Sequence, residues 1–217
     1  MRPNFCTFAV ASLLLVTSGA AAKVTDADAA VHHLQSEWER IKFTVPEGAN
    51  QTNAMNALGQ EADATASKFP DQVKVQIWDG IITSERAGMA SMFSALSLAK
   101  RARDILARAD KMDPNVLDAG APTSLGVLYY RVPGFPIGFG DKTKARSLLE
   151  SATRAAPNGL DAWYFYGDFL MSQGDNSKAE AAFNHALAIP SDSSRPLWDA
   201  NRRLVIKEDL DKIKGKP

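Results

Sequence analysis

The stretch LDAWYFYGDFLMSQGDNSKAEAAFNHALAIP, residues 160–190, decides the fold. Starting at Trp163 it carries Tyr166, Gly167, Leu170, Gly174, Ala179, Phe183, Ala186 and Pro190 at successive intervals of 3, 1, 3, 4, 5, 4, 3 and 4. Small residues at such spacings fall where paired helices touch most closely, and aromatic side chains fill the gaps beside them. Pro190 then stops the second helix, because proline lacks an amide donor and clashes with the preceding turn.

This ladder resembles the tetratricopeptide repeat, which implies two antiparallel helices per unit of roughly 34 residues. Upstream, Gly140, Ala145, Leu149, Ala152 and Pro157 reproduce the second half of the unit, and Leu125, Gly126 and Tyr129 the first. Farther upstream Met89, Ala90, Phe93, Ala102, Leu106, Ala109 and Pro114 take the same places, giving expected repeats at about 83–116, 119–159 and 160–193. Leu58, Ala62, Thr65 and Pro70, after a helix around Ala27 to Phe43 with Leu34 and Trp38, read as a degenerate helix pair over 25–70. The charged amphipathic segment 196–214 reads as a helix capping the open end, since a terminal repeat needs a polar outer face. The expected class is all-α, an α-solenoid of antiparallel helix pairs with a C-terminal capping helix, forming one domain over residues 23–217.

Residues 1–22 read as a secretory leader: Arg2, an apolar run from Phe5 to Thr17, and a small-residue cleavage site at Ala20, Ala21 and Ala22. The only cysteine, Cys6, lies in that segment, so the mature chain is expected to carry no disulfide and no lipid anchor, and to reside in a bacterial periplasm. Lys plus Arg and Asp plus Glu both number 25, which excludes the concentrated basic charge that a nucleic acid or an anionic membrane surface requires.

Over residues 123–190 the likeness becomes more particular. The run from Leu128 to Asp141, LYYRVPGFPIGFGD, followed by Asp161 and the run from Tyr164 to Phe169, YFYGDF, is similar to exported bacterial tetratricopeptide-repeat proteins. Some of these are grouped near the repeat-containing partner of TRAP-type solute transporters. That resemblance implies a periplasmic helical array, more loosely a link to solute uptake, and no catalytic residue or cofactor.

In such an array the first helix of each pair lines the concave surface. Helical periodicity places Ser84, Ala87, Ser91 and Ser94 there from one unit and Thr123, Val127 and Tyr130 from the next. Asp161, Tyr164, Asp168 and Met171 follow from the last. A neutral groove with aromatics and carboxylates at one end suits a peptide, a protein helix or a small organic ligand. The plainer reading is that Asp161 caps its helix and Asp168 pairs with Arg202 or Arg203. The inserted loop 131–139 carries Phe135, Ile137 and Phe139 between prolines and glycines, as a lid, a docking surface or filler between units. Trp78 and Trp198 read as core.

No His pair has metal-ligand spacing, and Gly134, Gly138 and Gly140 lack the lysine and hydroxyl of a phosphate loop. Asp161 and Asp168 stand two helical turns apart, about 10 Å by helical rise. An inverting glycosidase needs such a gap, but no other feature joins that chemistry. The sequence thus favours a noncatalytic periplasmic scaffold holding a protein or peptide in its groove. The alternative is a ligand-holding accessory of solute transport.

Overall fold

The structure, a computed structural model, describes residues 17–215, with side chains from 26 onward. Of the expected leader, residues 1–16, including Cys6, lie outside the described residues. The chain forms helices α1 (Thr17–Thr44), α2 (Ala49–Lys68), α3 (Val73–Met89), α4 (Met92–Met112) and α5 (Val116–Arg131). These are followed by α6 (Lys142–Ala155), α7 (Leu160–Ser172), α8 (Asn176–Ala188) and α9 (Pro196–Ile213). Consecutive helices pack as antiparallel pairs, most extensively α3 on α4, α5 on α6 and α7 on α8, so the fold is an all-α helical repeat. No helix among the described residues is long and apolar enough to cross a membrane.

Each pair closes on the same contact. A Cβ built on Gly80, Gly126 or Gly167 would lie 2.5, 2.6 or 2.5 Å from Leu106, Leu149 or Phe183 of the facing helix. The facing helices carry Ala102 and Ala109, Ala145 and Ala152, and Ala179 and Ala186, all fully buried. Seven residues is two helical turns, so each alanine pair lies on one stripe, and its small side chains let the helix axes approach. Pro70, Pro114, Pro157 and Pro190 each stand two residues past the last residue of α2, α4, α6 and α8, where the missing amide ends the helix. Gly174 turns the chain between α7 and α8 at φ 80°, a left-handed angle that closes α7 with a bond from the Asp175 N–H to the Leu170 carbonyl, 3.0 Å.

The unit expected at 83–116 is displaced. Its first helix starts at Val73, and the turn between helices falls at Ala90–Ser91, so Gly80 holds the close-approach position assigned to Met89 and Ala90. The cause is helix length: α4 has 21 residues against 13 in α8, and counting back from Pro114 by a standard repeat slips along it. Phe93, expected in the core, is 97% exposed at the start of α4.

Within α5 the backbone leaves the right-handed helix at Leu117, Asp118 and Ala119, whose φ angles are 54°, 52° and 59°. Pro122 supplies the reason: it offers no N–H to the Asp118 carbonyl and its ring crowds that oxygen. The second piece of α5 then starts with Pro122 in its first turn, where proline is tolerated. Left-handed backbone costs about 1–2 kcal/mol per residue, and Ala119 and Ala121 around the break are fully buried.

Helix α9 reaches farther than a terminal cap. Ile206 and Leu210 are buried toward α7 and α8, while Trp198 at its amino-terminal end joins Trp38 of α1 and Trp78 of α3 in the main core. Arg195 lies over both indoles, 5.6 Å from Trp78 and 4.4 Å from Trp198, and donates to Glu39 of α1 at 2.6 Å. The last helix therefore touches the first, and the concave face becomes a bowl rather than an open groove.

Candidate functional site

The bowl encloses a cavity of about 1010 Å³. Its wall consists of helical stripes: Gln35, Trp38 and Lys42 on α1, then Trp78, Ile81 and Glu85 on α3. Gly120, Ser124, Val127 and Arg131 follow on α5, Asp161 and Phe165 on α7, and Trp198 and Arg202 on α9. Each stripe recurs every three or four residues, the period of one helix face. Of the second helices of the pairs, α2 contributes Gln51 and Thr52 from its first turn and α4 contributes Met92, Ala95, Leu96 and Ala99 from its first two turns, while α6 and α8 do not reach the wall.

Of the residues expected to line the groove, Ser84, Ala87, Thr123, Val127 and Asp161 do so; Ser91, Ser94, Tyr130, Tyr164, Asp168 and Met171 do not. Helix α7 is rotated so that Phe165, not Tyr164, faces the cavity. Tyr164 is 5% exposed, packs against Phe183 and lies beneath the Arg202 guanidinium at 4.1 Å. Burial holds its phenol above the ordinary range, with Arg202 opposing. Asp168 turns toward α5, where it accepts from the Tyr130 hydroxyl and from Arg131 Nη2 at 2.6 Å, instead of pairing with the last helix. Burial pushes the Tyr130 hydroxyl upward, so it stays protonated and donates. Asp161 does not cap α7; it accepts from Arg202 Nε at 2.6 Å. Met171 packs half-buried against the main core.

The inserted loop divides between the roles considered for it. Phe139 fills space, edge-on to Tyr129 at 5.6 Å with Arg103 over its ring at 4.6 Å. Phe135 and Ile137 stand out, 94% and 70% exposed, and Ile137 lines the cavity. The loop backbone is tied to itself: Gly140 N–H donates to the Pro133 carbonyl at 2.9 Å, and Ile137 and Gly138 both donate to Gly134. A Cβ on Gly140 would sit 2.0 Å from the Val132 carbonyl oxygen, so only glycine fits that crossing.

Trp78 and Trp198 are core residues and cavity wall at once, 4% and 8% exposed. Sequence reasoning passed over Trp38, Arg131, Arg195 and Phe165 as wall residues. Pro122 was the available signal for the break that brings Asp118 to the wall.

On the far side of α3 a second cleft of about 690 Å³ is lined by Asp63, Asp79, Arg101 and Arg108. Asp79 is 4% exposed, and burial together with the neighbouring Asp63 pushes its carboxyl up to about 7. Asp63 is held in turn by Arg101 at 2.6 Å.

Comparison with known proteins agrees with this architecture. Residues 137–194 match the tetratricopeptide repeat family model. TTC0263, a thermophilic TPR protein of Thermus thermophilus, is similar in structure with a TM-score of 0.56 at 14% identity, covering 88% of this chain and 94% of its own. A MamA structure, AMB-1, gives a TM-score of 0.48 at 15% identity over 87% of this chain and 95% of its own. Another, MSR-1, gives 0.46 at 16% identity over 89% and 95%. No curated protein matches the chain.

Proposed function

We propose that the protein is a noncatalytic scaffold that holds a segment of a partner polypeptide in the cavity walled by α1, α3, α5, α7 and α9. The observation that carries this reading is the wall itself. Continuous inner stripes from successive helices meet in a bowl whose aromatic surface is held by Arg195 over Trp78 and Trp198, by Arg202 over Phe165 and by the edge-on contact of Trp38 with Trp78. Rigid aromatic anchors beside ordered guanidinium groups are the composition of strong polypeptide contacts. The two carboxylates spaced two turns apart on α7 are held in ion pairs, Asp161 by Arg202 and Asp168 by Arg131.

The test is site-specific photo-cross-linking in the native cell, with a benzophenone side chain at Val127 in the wall and, as control, at exposed Arg154 outside it. A discrete polypeptide adduct from Val127 and none from Arg154 is the expected result. Equal labelling at both positions, or none at Val127, overturns the reading.

We also propose a periplasmic location, supported by Arg2, the apolar run from Phe5 to Thr17 and the alanines 20–22. The mass of the protein isolated from its own cell should correspond to residues 23–217. An unprocessed chain refutes export by this leader.

A further inference from the structure

One edge of the array, where the chain turns after α3 and after α5, carries large apolar side chains that nothing covers. Met92 and Phe93 are 87% and 97% exposed, and with Phe135 and Ile137 they are the four most exposed large apolar residues among those described. Helices α3 and α5 run in the same direction, so both turns fall at the same edge. Their bases touch as well. Ala87, near the end of α3, and Val132, at the start of the inserted loop, belong to one apolar cluster, and Arg103 of α4 lies over Phe139 of the loop at 4.6 Å. Two segments 40 residues apart in the chain, counting from Phe93 to Pro133, thus present their apolar tips side by side.

The size of this surface fits a protein contact. Phe93 and Phe135 alone present roughly 300–450 Å², taking about 150–250 Å² for a whole aromatic side chain. Met92, Ile137 and the exposed Pro133 and Pro136 extend it toward the ~800 Å² that each partner of a specific interface contributes. Contiguous apolar surface of that extent marks an interaction site.

Charge identifies the occupant. Residues 87–99, AGMASMFSALSLA, and 132–140, VPGFPIGFG, contain no charged side chain, whereas the flanking turns of the same edge carry Glu47 and Asp175. A two-fold contact sets each residue near its axis against the same residue of the other copy, so a charge there would face its own kind. The two middle turns avoid that repulsion. The chain as a whole adds none, with 25 basic and 25 acidic residues.

We infer that the occupant is a second copy of this chain, paired isologously through the turns after α3 and α5. Phe93 and Phe135 are the anchors and pack against the same two turns of the other copy. Met92 and Ile137 also line the cavity, so the pairing sets the two cavities beside one axis. It does not depend on what the cavity holds.

Sedimentation velocity of the protein isolated from its own cell, run from about 1 to about 200 µM, should show reversible conversion of monomer to dimer in the micromolar range. Phe93→Ser combined with Phe135→Ser should weaken the dimer by at least on the order of tenfold, because exposed aromatic anchors dominate such interfaces. Ile137→Asp should act likewise by opposing like charges across the axis. Leu204→Ser, on α9 and away from these turns, is the control and should dimerise like the parent. The circular dichroism melt shows that each variant is folded, and Ile137→Asp decides the matter if the double variant is not.

A chain that stays monomeric at about 200 µM overturns the pairing. So does a dimer undiminished in a folded variant of the two turns, one that Leu204→Ser weakens equally, or open-ended assembly beyond the dimer. A self-pair has twice the chain mass, which separates it from a foreign polypeptide in the cavity, and its absence leaves the scaffold reading standing.

Discussion

Asp79 shows how one side chain ties stability to pH. Its folded carboxyl titrates at about 7, against an ordinary value of 3.8, because burial and Asp63 both oppose its charge. The folded state thus binds the proton more tightly. The resulting stabilisation is complete below about pH 4 and is lost as pH rises through about 7. Chemical denaturation from pH 4 to 8 should show stability falling, and Asp79→Asn should flatten that slope and make the protein more stable than the parent at pH 8. An unchanged slope in the variant would show that another group carries the dependence. Such a site is hard to read in a sequence: Asp79 follows Trp78 on an amphipathic helix, and only the arrival of α2 and α4 buries it. The same holds for Asp168, whose partner Arg131 lies 37 residues away on another repeat.

At the scale of helices, the close-approach glycines are the most sensitive positions. Gly126→Ala and Gly167→Ala should each cost about 1–3 kcal/mol, because the new methyl meets Leu149 or Phe183, both fully buried and unable to withdraw. Urea denaturation measures this, and a helix-propensity gain of about 1 kcal/mol without loss would refute the contact. In the inserted loop, Phe139→Ala should lose about 0.5–1.5 kcal/mol with its edge-on contact to Tyr129, whereas Phe135→Ala should change stability by less than about 0.5 kcal/mol. The alanine stripes and the prolines two residues past their helices were legible because both are local chemistry. Helix rotation was not. On α7 Tyr164 and Phe165 are adjacent aromatics with no local signal to tell them apart, and the neighbouring α5 and α9 decide which one faces the cavity. The displacement at α3 has the same character, since nothing local to Pro114 announces that α4 is 21 residues long.

Across the whole molecule, closure of the last helix onto the first turns a repeat array into a container. Glu39 and Arg195 are separated by 156 residues, a pairing no repeat pattern encodes, and their contact seats Arg195 over Trp78 and Trp198. Glu39→Ala should cost roughly 2–4 kcal/mol by leaving Arg195 without its partner in a mostly buried setting, and should raise acrylamide quenching of the cavity tryptophans. Stability and quenching that both match the parent would mean that the ends are held by packing alone. The central claim is that this container holds a polypeptide. Native mass spectrometry of the protein isolated gently from its own cell, beside a Ser124→Trp, Val127→Trp double variant whose indoles obstruct the α5 wall of the cavity, tests it most directly. A polypeptide adduct on the parent that is weakened or lost in the equally helical variant is the predicted result; an adduct undiminished in the obstructed variant, or a parent that carries none, contradicts it.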